Sequence, residues 1–203
     1  MRTYRLTYFD FRGKAELARL VFAAAGEKFE DRRIQREEWP DIKKTMPFGQ
    51  IPLLEVDGKP LAQSYAIARY LAREFGFAGR SNWESAQIDQ VVDLVEDLKR
   101  EMFKAVNEQD PDKKKDLEQK LLDDVFPRFI GFFEKLLKDN GGQYFVGSLL
   151  SLADLAVLGV FDTPLHKYPS LLDKSSALQA HRKHVESLPK IADYLKNRKQ
   201  TEK

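Results

Sequence analysis

The chain has 203 residues, 42% hydrophobic and 33% charged, and its 34 basic residues nearly cancel 32 acidic ones, leaving a net charge of +2. That length suits one large domain or two small ones with a real core, and the charge offers no general field for nucleic acid or an anionic lipid surface. The absence of cysteine excludes disulfides, a cysteine nucleophile, thiolate zinc sites and CxxC redox chemistry, and it fits a reducing, cytoplasmic setting.

The first segment, MRTYRLTYFDFRGKAE, has no apolar h-region, and no apolar run is long enough to span a bilayer. Neither a secretory signal nor a membrane helix is expected. Thr3 to Phe9 alternates loosely and is rich in Tyr, Thr and Phe, so it reads as a strand. GKAELARLVFAAAG follows, with Leu17, Leu20, Val21 and Ala24 at helical spacing and Gly26 as a stop. KFEDRRI reads as a second strand and EEWPDIKKT as a short helical piece. PLLEV and KPLA flank Asp57-Gly58, a strong hairpin signal. SYAIARYLAREFG is a helix closed by Gly76, which completes a β-α-β-α-β-β-α order.

After residues 77–83 the strand patterns stop. Ile88, Val91, Val92, Val95, Leu98 and Met102 mark one face of a long helix. A second, KKKDLEQKLLDDVFPRFIGFFEKLLKDNGG, is expected to bend at Pro127. SLADLAVLGVFD reads as a third, and HRKHVESLPKIADYLKNR holds one or two more. The fold class is therefore α/β followed by all-α: one domain over 1–77 and a helical domain over 83–203.

Several positions admit chemistry. Pro52 cannot donate to a sheet ladder, so it belongs at a strand start, where it can leave the Ile51 backbone open to an extended peptide. Gln63-Ser64 opens a helix; Ser64 can cap it, and the same helix end is a ready carboxylate site. Asp93, Glu96, Asp97 and Arg100 share a helix face, readable either as an exposed acidic face or as an interface. His181 and His184 lack an evident third ligand and read as surface residues.

YFDFRGKAE, EEWPDIKKTMPFGQIPLLEVDGK and QSYAIARYLAREFGFAG resemble the thioredoxin-like N-terminal domain of cytosolic glutathione transferases, with the sigma class nearest. FVGSLLSLADLAVL resembles the start of that family's buried helix, with Ser151 and Asp154 as a capping box, and HVESLPKIADYLKNR resembles its C-terminal helix. The likeness covers essentially the whole chain and implies a glutathione-binding domain followed by a helical domain that supplies the electrophile pocket and dimer contacts. Tyr8 is then the residue that stabilises the glutathione thiolate. Ile51, with Pro52 cis, presents its backbone to the cysteinyl part. Gln63 and Ser64 hold the γ-glutamyl carboxylate, and Trp39 and Lys43 the glycyl carboxylate. Gly49 and Gln50 line the stretch between. Lys14 stands where the sigma pattern carries an arginine and loses that planar fork.

Asp97 reaches the partner's glutathione across a homodimer, and Phe9, Met102 and Phe161 line the electrophile pocket. Glutathione is the co-substrate and no metal is required; no nucleic acid or membrane partner is expected. The same resemblance includes a prostaglandin D synthase-type isomerase and the crystallins, structural proteins with little activity.

Overall fold

The structure, a computed structural model, describes residues 2–201. These residues form two compact units. The first joins 2–77 to 186–201 and the second spans 78–185.

The first unit is built on a four-stranded sheet in the order β2-β1-β3-β4. β1 is Tyr4–Phe9, β2 Glu30–Ile34, β3 Leu53–Val56 and β4 Lys59–Ala62. β2 runs parallel to β1 because α1, Glu16–Ala25, carries the chain back between them; β3 and β4 are antiparallel. The two-residue turn Asp57-Gly58 has φ of 49° and 77°, the left-handed pair that a hairpin of this length requires. Asp57 also accepts from the Thr3 N–H at 2.8 Å, which ties the turn to the start of β1. α2 is Trp39–Lys43, and α3 is Ser64–Phe75. Leu20, Val21 and Phe22 of α1 and Ile67, Ala68 and Leu71 of α3 are buried with Leu6 and Leu54 of the sheet. Gly26 stops α1 at φ 72°, with its N–H on the carbonyls of Phe22 and Ala23.

The helical stretch assigned to 83–203 from its pattern is divided differently in space. α9, Pro189–Asn197, packs on α1 and belongs to the first unit. The reason is a matched polar set. The Tyr194 hydroxyl donates to Glu16 at 3.0 Å, Arg198 donates to the same carboxylate oxygen at 2.9 Å, and Lys190 donates to the Ala25 carbonyl at 2.6 Å. That last contact puts a cation on the negative end of α1.

In the second unit, α4 is Asn82–Asn107, α5 Pro111–Lys120, α6 Phe126–Asp139, α7 Leu152–Lys167 and α8 Ser176–Ser187. Ser81 caps α4 by accepting from Glu84 N–H at 3.1 Å, and Asp110 caps α5. Between α5 and α6 the chain makes a π turn over Leu121–Val125, with the Phe126 N–H on the Leu121 carbonyl five residues back. This turn, ahead of Pro127, replaces the simple proline bend expected from the sequence; Pro127 sits in the first turn of α6, where its missing N–H costs little.

α7 is buried nearly all round. Asp154, fully enclosed, accepts from the Ser151 N–H and hydroxyl, each at 2.8 Å, and from the Phe145 N–H at 2.9 Å. His181 completes the set at 2.9 Å from Asp154, and only 2% of it is exposed, so it is a core residue rather than the surface histidine expected.

Burial, and then the negative charge of Glu16, push Tyr194 well above the ordinary tyrosine range. The unfolded chain ionises this group near pH 10 while the folded chain does not, so its contribution is complete below that pH and fades as pH rises further. Urea unfolding between about pH 8 and about pH 11 should therefore show an alkaline loss of stability that is shallower in Tyr194→Phe than in the parent.

Candidate active site

Three chain segments end at one edge of the sheet. The last paired rungs there are Thr7 with Leu53 and Leu53 with Ala62. One residue further along the same register stand Tyr8, Pro52 and Gln63. Strand pairing alone thus gathers positions far apart in sequence. The Ile51-Pro52 bond is cis, as the resemblance implies, and Ile51 lies outside the ladder. α2 and the loop after β2 reach the same edge, because Phe9 pairs with Ile34.

Tyr8 is 6% exposed and sits in an aromatic group. Its ring meets Phe9 and Phe11 edge-on at 5.8 and 5.4 Å, and Phe9 meets Trp39 edge-on at 5.6 Å. The Tyr8 hydroxyl accepts the backbone N–H of Lys14 at 3.2 Å. Its own hydrogen is committed to no acceptor among the described residues. Burial raises its pKa, while the Lys14 N–H and the charge of Arg19 pull the other way. A phenol raised above its ordinary value near 10 stays protonated at neutral pH. The group is a hydrogen-bond donor aligned from behind by an amide.

That amide is positioned by a glycine the sequence reading passed over. Gly13 has φ 46°, and a Cβ there would lie 2.7 Å from the Tyr8 hydroxyl and from the Phe11 ring. Only glycine fits both the dihedral and the space. The contribution of Lys14 at this point is its backbone; its ammonium lies on an exposed residue. The Arg12 guanidinium donates to the Thr201 carbonyl at 2.9 Å.

Around this edge lie several uncommitted donors. Among the described residues, no hydrogen bond uses the side chain of Trp39, Lys43, Gln50, Gln63 or Ser64. Lys43 and Gly49 are neighbours, since a Cβ on Gly49 would lie 3.5 Å from the Lys43 side chain. Gly49, at φ 59°, donates to the Met46 carbonyl and closes the loop that leads to Ile51. Ser64 is the first residue of α3, not its cap. Gln63 precedes it at φ 74°, ψ 114°, and no side chain caps the helix. A non-glycine residue held there costs about 1–3 kcal/mol, a cost that clusters at functional positions.

The remaining sequence candidates belong to the second unit. Asp97 is exposed and lies 3.7 Å from Arg100, with Glu96 3.4 Å from the same guanidinium. Met102 is half-buried on α4. Phe161 is 2% exposed and meets Phe133 edge-on at 5.9 Å, which makes it part of the core of that unit. No cluster of three metal-ligating side chains occurs among the described residues, and no helix among them is long and apolar enough to cross a membrane.

The first unit is thus a thioredoxin-like sheet with an uncapped helix end and a buried phenol one residue past its last paired rung. Residues 4–73 match the glutathione S-transferase N-terminal domain, and residues 96–198 match its C-terminal domain. The chain is 43% identical over 198 residues to probable glutathione S-transferase 7 of Caenorhabditis elegans, covering 96% of each. It is 42% identical over 206 residues to hematopoietic prostaglandin D synthase of Gallus gallus, covering 99% of each. Among solved structures, a Nu-class glutathione S-transferase of Haemonchus contortus superposes with a TM-score of 0.93 at 43% identity over 100% of both chains. A monomeric glutathione S-transferase of the hookworm Necator americanus gives 0.93 at 37% identity, covering 99% of this chain and 100% of its own. The chain belongs to the glutathione S-transferase family, whose co-substrate is glutathione. One of these relatives is named a Nu-class enzyme and none is named a sigma-class one, so they establish the family and not the sigma class.

Gly13→Ala should leave the fold intact by circular dichroism but push the Tyr8 hydroxyl off the Lys14 amide. Transferase kcat should fall by about 10- to 100-fold, the scale of a misplaced reacting group. KM for glutathione should move little, because the carboxylate-binding candidates lie on other segments.

Proposed function

We propose that the transfer reaction runs on the Tyr8 phenol. Glutathione lies along the sheet edge. Its cysteinyl backbone pairs with Ile51 beside Pro52. Its γ-glutamyl carboxylate rests on Gln63, Ser64 and the free N–H groups of α3. Trp39 and Lys43 take the glycyl carboxylate, and Gly49 and Gln50 line the backbone between. The sulfur then sits at Tyr8, whose proton is free because the oxygen is already held by Lys14 N–H. A hydrogen bond to an anion is stronger than one to a neutral thiol, so the phenol favours thiolate. Each unit by which the thiol pKa falls is worth about 1.4 kcal/mol. The thiol proton passes to solvent. The sulfur lone pair forms the new C–S bond, and the electron pair of a displaced halide leaves with it.

The observation that carries this reading is an amide-held phenol whose hydrogen is used by no acceptor among the described residues. A structural crystallin role leaves that arrangement without purpose. The isomerase reading shares the same donor and differs only in the electrophile. With no cysteine in the chain, we place the protein in the cytosol.

Tyr8→Phe should lower conjugation of chlorodinitrobenzene by about 10²-fold or more, the usual loss for one donor at a developing charge. Retention on immobilised glutathione should survive. Equal conjugation by the variant and the parent would remove Tyr8 from the mechanism.

We also propose a homodimer. Phe132, 46% exposed, lines a groove of about 530 Å³ with Gln90, Leu94, Asp97 and Leu136. Asp97, the residue assigned to a partner's glutathione, is thus beside exposed apolar surface of the kind that marks an interface. Sedimentation equilibrium should give a dimer, and Phe132→Glu should shift it towards monomer; a monomeric parent at micromolar concentration would refute the assignment.

A further inference from the structure

Arg19 lies on α1, and only 1% of its side chain is exposed. A guanidinium is seldom buried so completely without several acceptors. Its Nε lies 3.1 Å from both oxygens of Asp31. Its Nη1 donates to the Phe11 carbonyl at 3.0 Å and to the Arg12 carbonyl at 3.2 Å. Those two carbonyls belong to the residues immediately before Gly13. The next residue, Lys14, gives its N–H to the Tyr8 hydroxyl.

A continuous path therefore runs from the guanidinium to the phenol. Asp31 fixes the Nε side of the Arg19 plane, Nη1 grips two successive carbonyls, and the buried Nη2 has no partner among the described residues. Those carbonyls set the direction in which the chain enters the left-handed Gly13. Gly13 in turn aims the Lys14 amide. Behind the path, Nη1 of Arg19 is 3.6 Å from Glu16, which is itself held by Tyr194 and Arg198 of the C-terminal segment. Lys199 pairs with Asp10 on the same loop. An ammonium could not reproduce this, because it lacks a rigid fork that faces two directions at once.

We propose that Arg19 is a positioning residue for the transfer reaction, holding the Phe11 and Arg12 carbonyls from inside the domain so that Lys14 N–H stays on the Tyr8 oxygen. The inference rests on Tyr8 as the thiolate-stabilising donor. The charge of Arg19 also acts on Tyr8 directly, lowering its pKa against the larger effect of burial. If Arg19 is weakened, the loop carbonyls lose their donors, the Gly13 turn relaxes, and the phenol is no longer held from behind. Glutathione still binds, since Trp39, Lys43, Gln63 and Ser64 are on segments that Arg19 does not touch.

The test uses Arg19→Lys and Asp31→Asn in the full chain, each alone and combined with Tyr8→Phe. The readouts are kcat, KM for glutathione, the pH at which bound glutathione ionises (by thiolate ultraviolet absorbance), and hydrogen exchange at the Lys14 amide. Arg19→Lys should lower kcat about tenfold and raise the pKa of the bound thiol by about one unit. KM for glutathione should stay within about twofold, the mark of an interaction felt in the transition state and not in binding. The Lys14 amide should exchange faster, and in the Tyr8→Phe background neither variant should lower kcat further, because residues acting as one unit are not additive.

A folded variant with unchanged thiol ionisation and unchanged Lys14 exchange would reduce Arg19 to a core residue. Asp31, with a quarter of its side chain exposed, tolerates substitution and carries the test if Arg19→Lys fails to fold. If Tyr8→Phe leaves conjugation untouched, the catalytic reading fails instead, and Lys14 exchange still decides whether Arg19 holds the turn.

Discussion

The arrangement depends on one hydrogen bond that faces backwards. Lys14 N–H reaches the Tyr8 oxygen at 3.2 Å and so commits the acceptor side of the phenol to the protein. What is left is a proton. Burial keeps that proton in place at neutral pH, because an ionised phenol in this setting would lose its water without gaining a full counter-charge. In the reaction we propose, the enzyme needs no base of its own at the sulfur; it needs a donor that stays a donor.

Holding this bond shapes the surrounding backbone. Gly13 must be glycine because the phenol occupies the space where a side chain would start. Gln63 stays in a costly conformation at the same sheet edge, and α3 begins without a cap. Both are local concessions in a domain whose hydrophobic interior is otherwise well filled. Leu6, Leu54, Ile67 and Leu71 are buried completely, and that interior supplies the stability that irregular backbone consumes. In the second unit the polar set around Asp154 has a different purpose. It closes the start of a helix whose first two turns are buried, where an open N-terminus would leave buried N–H groups unsatisfied.

Much of this was legible residue by residue. Asp57-Gly58 announced its hairpin because few residue pairs accept two left-handed dihedrals. The apolar spacing of α4 announced a buried face, and Ser151 with Asp154 announced a helix start. The glutathione-site candidates in the first unit were recognisable as a set through the resemblance of the chain to its family, and strand register does bring Tyr8, Pro52 and Gln63 to one edge. Other features left no local mark. The π turn before Pro127 reads like any helical stretch, because its extra residue changes no composition. His181 looks like a surface histidine until Asp154 is seen opposite it. Arg19 sits in LARLVF as one more long side chain on an amphipathic helix, although its role comes from carbonyls eight and seven residues earlier.

Local order is what the sequence by itself determined: the kinds of element, their turns and caps, and the two-part division of pattern near residue 77. These depend on dihedral preference and on the spacing of apolar side chains, which act within a few residues and are written along the chain. Partnership was decided only by tertiary structure. α9 joins the first unit through Glu16 and the end of α1, Phe161 turns into a core, and the amide of Lys14, not its ammonium, meets Tyr8. A buried polar atom is satisfied by whichever group the packed chain brings within about 3 Å. That choice is made by three-dimensional closeness, which residue type and spacing do not encode.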